Sequence, residues 1–241
     1  MSRALVTIFL ALALGVSSEP RALEGRVTFL SDPKPAPDLS RLLVQMWNTR
    51  DDEARTKAKF FMGPNVEPKP VPVLPDGSFT FQNVPPGQYF VGALRVPTGW
   101  WLRSVRFDDK DVTDSAFDFA DNGRLVLGLS DQHNSVSGLV RDSSGNPYQQ
   151  TIDVVVFPRD PKAWRLSSVR IQSVRVGPGG RYSITDLLPG DYLIAVQRVQ
   201  AGQVTDITSD RQRRELESLS LNALVIRLPE SGSVEQNLTA K

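Results

Sequence analysis

One phrase occurs twice in this chain. Residues 77–96 read GSFTFQNVPPGQYFVGALRV, and residues 180–199 read GRYSITDLLPGDYLIAVQRV. Aligning Gly77 with Gly180 brings Pro86-Gly87 onto Pro189-Gly190, Tyr89 onto Tyr192 and Arg95-Val96 onto Arg198-Val199 without a gap; six of the twenty positions are identical. A 241-residue chain that repeats such a phrase is read as two copies of one module.

Each copy has the pattern of strand, turn, strand. Phe79 and Phe81, like Tyr182 and Ile184, alternate with polar residues at the period of a half-buried strand. Pro-Gly then predicts a tight hairpin turn, with Gly87 and Gly190 at the positive φ of a type II turn. The repeated tyrosine, two residues on, is placed to hydrogen-bond back over that turn, as tyrosine corners do in other sandwiches. Tyr89, Val91 and Ala93 lie on one face of their strand, and Tyr192, Ile194 and Val196 repeat the pattern in the second copy. The residues between them (Phe90, Leu94, Leu193, Ala195) are apolar as well, which predicts strands covered on both faces or packed centrally.

Eighteen prolines and seventeen glycines separate strand-like segments in a chain that is 40% apolar, which points to an all-β class. In the first copy, strands are predicted at Gly25–Phe29, Leu42–Trp47, at an edge in Lys69–Leu74, at Trp101–Phe107 and at Leu125–Leu129. Residues 50–59 and 108–121 read as irregular. The second copy has strands at Val136–Val140, Ile152–Phe157, Val169–Val176, Asn222–Leu228 and Val234–Leu238. Residues 209–218 are the one good helix, with Ser209 as N-cap and Gln212 completing a capping box. A short seam near Asp131–Asn134 predicts two modules set close together with limited swing.

Residues 1–18 have the form of a secretory leader: Arg3, a twelve-residue apolar stretch from Leu5 to Val16, and Val16-Ser17-Ser18 before a cleavage predicted at Glu19. The stretch is too short to span a bilayer as a helix. The chain carries 28 basic and 27 acidic residues, so no field draws it to nucleic acid, and it has no cysteine for a disulfide framework or a lipid anchor.

Both copies resemble the carboxypeptidase regulatory-like domain, a transthyretin-like β-sandwich. The matching residues are the opening Gly25-Arg26-Val27 and Gly138-Leu139-Val140, Asp76-Gly77-Ser78-Phe79 and Gly179-Gly180-Arg181-Tyr182, and the closing Pro-Pro-Gly-x-Tyr and Leu-Pro-Gly-x-Tyr. The second copy adds the turn Asp142-Ser-Ser-Gly145-Asn-Pro147; the first departs there, with Pro-Lys-Pro. The resemblance implies two tandem seven-stranded Ig-like or transthyretin-like sandwiches at 24–131 and 135–241, one short helix in the second, and extracellular display. It also implies a superfamily whose relatives include starch-binding modules, and attachment to a larger partner such as a peptidase or an outer-membrane receptor.

Catalytic chemistry finds little material. A zinc peptidase needs about three protein ligands, and His133 is the chain's only histidine. Ser-His-Asp and Cys-His catalysis would both rest on it or on an absent cysteine. No Gly-x-Ser-x-Gly elbow and no phosphate-binding glycine loop occurs. Asp108, Asp109, Asp111 and Asp114 form a weak Ca²⁺ candidate without the glycine and closing glutamate of an EF-hand, against a solvated acidic loop. Leu228-Pro229-Glu230-Ser231-Gly232 looks like a sortase signal but reads as a strand-ending turn. Arg26 and Leu139 stand where some related adhesins carry an isopeptide lysine, so no such staple is expected.

The ligand-binding candidates are Trp101 and Trp164, since sugars stack on exposed aromatic faces; the competing reading is a tryptophan packed over a module edge. The sequence therefore predicts a secreted or periplasmic, outer-envelope protein without catalysis, cofactor or membrane span after leader removal. Its expected role is binding or scaffolding, with carbohydrate or an envelope protein as partner. The alternatives are strand addition to an envelope complex, and service as an accessory subunit of a peptidase or transporter.

Overall fold

The computed structural model describes residues 21–32, 35–49, 69–166, 168–198 and 209–240. The leader, the charged stretch 50–59 and the Ser209 side chain proposed as N-cap lie outside the described residues. Among them, the first half contains β1 (Arg21–Phe29), β2 (Leu43–Asn48), β3 (Val71–Pro72), β4 (Ser78–Val84), β5 (Gly87–Leu94), β6 (Trp101–Phe107), β7 (Lys110–Asp111), β8 (Phe117–Phe119) and β9 (Arg124–Ser130). The second half contains β10 (Asn134–Arg141), β11 (Ile152–Pro158), β12 (Gln172–Arg175), β13 (Arg181–Thr185), β14 (Gly190–Arg198), α1 (Ser209–Ser220), β15 (Leu224–Leu228), β16 (Gly232–Glu235) and β17 (Leu238–Thr239).

Each half is a two-sheet sandwich, and the chain is all-β apart from α1 and short 3-10 turns. The first sandwich faces the order β4-β1-β9-β6-β7 against β3-β2-β5-β8. The second faces β13-β10-β16, with β17 also on β10, against β12-β11-β14-β15. The pairings repeat: β1 lies antiparallel to β4 and parallel to β9, as β10 lies antiparallel to β13 and parallel to β16 and β17. Between the matching strands β5 and β8 the first sandwich inserts β6 and β7. Between β14 and β15 the second carries α1.

The repeated phrase is not a hairpin. Its first strand, β4 or β13, belongs to one sheet, and its second, β5 or β14, belongs to the other. The phrase is an arch that carries the chain over the core. Phe79 and Phe81 therefore face Tyr89 and Val91 from the opposite wall of one apolar cluster, as Tyr182 and Ile184 face Tyr192 and Ile194. Pro85 and Pro86 have no amide hydrogen with which to begin a ladder between the two strands.

The turn chemistry differs from expectation in the same region. Positive φ falls on Asn83 (60°) and Asp186 (61°), equivalent positions whose side chains tolerate the left-handed region. Gly190 has φ 147°, whereas Gly87 is not among the positive-φ glycines, so the type II turn expected there is absent. The glycines that open the phrase are the constrained pair. Gly77 and Gly180 have φ 84° and 76°, and a Cβ on them would meet the carbonyl oxygens of Val27 at 2.8 Å and Val140 at 2.4 Å. The same contact to the same strand is thus built twice.

The tyrosine corner forms in both copies. The Tyr89 hydroxyl donates to Pro85 O at 2.8 Å, and the Tyr192 hydroxyl donates to Leu188 O; in each case the acceptor lies four residues back. Full burial of a ring with its hydroxyl satisfied joins the arch to the core beneath it.

The second sandwich has a third layer. α1 lays Leu216 on the outer face of β11 and β14, beside Val155, Phe157, Ala195 and Trp164. This explains the apolar residues on both faces of β14. Burying a side chain such as Leu216 contributes roughly 1.5–3 kcal/mol. The stretch 108–121, expected to be irregular, holds β7 and the three-residue β8, whose Phe117 and Phe119 point inward around exposed Asp118. No helix among the described residues is long and apolar enough to cross a membrane.

Candidate functional site

Three residues, Asp131, Gln132 and His133, separate β9 from β10. Side chains from both sandwiches converge on this seam and beside it.

Asn134, the first residue of β10, is 1% exposed, and its amide is fully used. Its Nδ2 donates to Leu187 O and Pro229 O, both at 2.8 Å, and its Oδ1 accepts from the Leu187 amide at 3.1 Å. One buried side chain thereby fixes the arch and the turn after β15 to the start of the second sandwich. Pro229-Glu230-Ser231 is the strand-ending turn expected of it, and Glu230 pairs with Arg103 of β6 across the seam.

His133 reaches both ways. Its Nδ1 lies 2.6 Å from Asp186 Oδ1 in the second sandwich, and its Nε2 lies 3.0 Å from Gly99 O in the first. The bond to Asp186, together with Gly99 O and the charges of Asp186 and Asp131, raises the imidazole above its ordinary pKa against a smaller desolvation effect.

Asp114, from the loop between β7 and β8, enters a cluster supplied by the second sandwich. Its Oδ2 accepts from the Ser168 hydroxyl at 3.0 Å and its Oδ1 from the Val169 amide at 3.0 Å. Arg165 Nη2 stands 3.2 Å and Arg170 Nε 3.7 Å from Oδ2. Burial pushes the Asp114 carboxyl above the usual carboxylate value, although Arg165, Ser168, Val169 and Arg170 all act to lower it. Arg165 also lies 5.9 Å over the Phe90 ring of β5. Arg170 continues inward, donating to Pro189 O and to the Tyr192 hydroxyl, each at 3.1 Å. The repeated tyrosine of the second copy is thus wired to the first sandwich through Arg170 and Asp114.

The four aspartates read as a calcium candidate have different tasks. Asp108 accepts the Arg124 amide at 2.9 Å. Asp111 holds Thr113, amide and hydroxyl; burial works against its charge, yet these bonds keep its pKa below the ordinary value. Asp109 offers its carbonyl to Arg106. Asp114 is taken by the second sandwich. Among the described residues no group of three or more His, Cys, Asp or Glu could hold a metal ion.

Both candidate tryptophans are interior. Trp101 is 8% exposed, donates from Nε1 to Gln132 O at 2.9 Å and lies beneath Arg103. Trp164 is 6% exposed, donates to Pro158 O at 2.8 Å and packs edge-on to Phe157 at 5.5 Å. Neither presents the open face that stacking on a sugar requires. A polar loop hid this for Trp164, because the layer it joins is completed by α1 far along the sequence.

No family model matches the chain, and no curated protein matches it. Among solved structures it is similar to GBS52, the minor pilin of Streptococcus agalactiae, at 15% identity and a TM-score of 0.34, covering 91% of this chain and 94% of that one. It is similar to the shaft pilin SpaA of Lactobacillus rhamnosus GG at 7% identity and 0.33, covering 92% and 99%. With the Bacillus anthracis TIE protein the figures are 12% and 0.30, and 91% of this chain spans 33% of that one. At such scores the likeness decides neither details of fold nor function.

Proposed function

We propose that this protein is a non-catalytic structural module of the cell surface or envelope, in which two transthyretin-like sandwiches, residues 24–131 and 135–241, are held as one rigid spacer. The Asp114 cluster carries this reading. Two modules that only needed to be tethered would be served by their short linker. A carboxylate drawn out of water, met by two guanidiniums, a hydroxyl and an amide from the other module, is costly to assemble and restricts how the two modules can sit against each other. His133 fits the same reading, since both ring nitrogens are committed to structural acceptors and neither faces a nucleophilic hydroxyl. The leader expected at residues 1–18 supports a place outside the cytoplasm. Comparing the small-angle scattering profile of the wild type with that of Asp114→Ala tests the proposal: a rigid spacer gives a profile fitted by one conformation, which broadens in the variant.

A second reading, docking of an extended segment of an envelope protein, has one observation in its favour. Leu224 and Val225 are 45% and 56% exposed on β15, an edge strand that pairs with β14 alone in its sheet, and Leu221, 83% exposed, lies in the turn just before it. Strand addition there would use the edge's main-chain groups and this apolar row. Proline at Val225 would abolish partner capture under this reading while leaving the spacer intact. Carbohydrate binding through Trp101 or Trp164 has no comparable support.

A further inference from the structure

His133 faces an acceptor from each sandwich. On one side stands the Asp186 carboxylate at 2.6 Å, on the other the Gly99 carbonyl at 3.0 Å. Neither group can donate. An imidazole serves both only when it carries two protons; the neutral ring has one N–H and must turn a lone pair toward the other partner. A carboxylate is the stronger acceptor and holds the proton on Nδ1. Deprotonation therefore removes the N–H that faces Gly99, which is the contact with the first sandwich.

We propose that His133 is a protonation-operated clamp between the two sandwiches, closed onto Gly99 when the ring is cationic and released when it is neutral. The charged groups acting on the ring are Asp186, on the arch of the second sandwich, and Asp131, in the linker. Asp131 also accepts from Ser31, at 3.0 Å, and Asp186 from Thr185, at 3.4 Å. Among the described residues, the first sandwich offers the ring the Gly99 carbonyl. All of these favour the cation, and partial desolvation opposes it.

The released element has mechanical reach. Gly99 lies in a turn closed by the Trp100 amide on Pro97 O at 3.0 Å, and this turn leads directly into β6. β6 then contributes Trp101, bonded to Gln132 O, and Arg103, paired with Glu230. Three consecutive seam contacts thus lie on one short segment, and the first is the proton-dependent one. The Asp114 cluster is separate from them and tethers the sandwiches as a pivot while the seam contacts on this segment change. The clamp goes beyond the spacer reading, because it makes the joint's geometry respond to pH.

The chain contains one histidine, so its ring nitrogens can be followed without ambiguity in the full-length, nitrogen-15-labelled protein. The expected result is a midpoint above the ordinary 6.5, with Nε2 as the nitrogen that titrates. The amide signals of Gly99 and Trp101, and the orientation of the sandwiches from residual dipolar couplings, should follow the same midpoint. Asp186→Asn should lower the midpoint toward 6.5. In His133→Gln, shown to be folded by the same spectra, the pH dependence of the couplings should disappear. A midpoint at or below 6.5, Gly99 and Trp101 signals that ignore the titration, or a pH-dependent orientation that persists in His133→Gln would each overturn the proposal.

Discussion

Asp114 Oδ2 of the first sandwich lies 3.2 Å from Arg165 Nη2 of the second. The same carboxylate takes the Ser168 hydroxyl and the Val169 amide, so one side chain gathers a whole turn of the opposite module. Asp114→Ala should leave Arg165 and Arg170 without this partner and destabilise the protein by about 1–3 kcal/mol. Asp114→Asn should cost less, because burial already works against the charge. Urea midpoints of the two variants at neutral pH check the order.

Asn134→Ala should be among the most damaging single changes near the linker. It strands the Leu187 amide and removes the donor from two carbonyls in a site that is 1% exposed. At about 1 kcal/mol per net hydrogen bond, the expected loss is roughly 3 kcal/mol, read from the same denaturation experiment.

The two tyrosine corners should separate by magnitude. Tyr89→Phe removes the bond to Pro85 O and should cost about 1 kcal/mol. Tyr192→Phe removes the bond to Leu188 O and also the acceptor for Arg170, and should cost more, about 1–3 kcal/mol. Equal midpoints for both variants would show that Arg170 gains nothing from the hydroxyl.

Stability should depend on pH through His133 with a definite sign. The folded imidazole is raised above its unfolded value by Asp186 and Gly99 O. The contribution is therefore complete below the unfolded pKa and is lost as pH rises through the folded one. Thermal midpoints of the wild type should fall across this window relative to those of His133→Gln. At high pH a second loss is expected from Tyr182, whose phenol burial pushes up to about 12, so that the unfolded state ionises first and stability declines above pH 10.

Much of the architecture was legible in the sequence. The repeat announced two modules, and the period-2 rows located β4, β5, β13 and β14. Pattern alone could not say that the strands of one phrase lie in opposite sheets, because alternation reports which side chains face a core and not which neighbour completes the ladder. The positive φ sought at Pro-Gly is present at Gly190 but not at Gly87, and in both copies it also falls on Asn83 and Asp186, residue types that accept it. The site was less legible. Asp114 sits in an aspartate-rich stretch that mimics a solvated loop, and its partners Arg165, Ser168 and Arg170 belong to the other module, with no local signal linking them. Asn134 read only as part of the short seam between the copies, and the arch and the Pro229 turn closing over it make it a buried anchor.

Under the spacer proposal the two sandwiches hold one relative orientation while the His133 clamp is closed. Residual dipolar couplings, collected on both halves at a pH below the His133 midpoint, measure this directly. A single alignment tensor should fit amides from β1–β9 and β10–β17 together. Two tensors of clearly different magnitude would mean independently moving beads and would contradict the spacer.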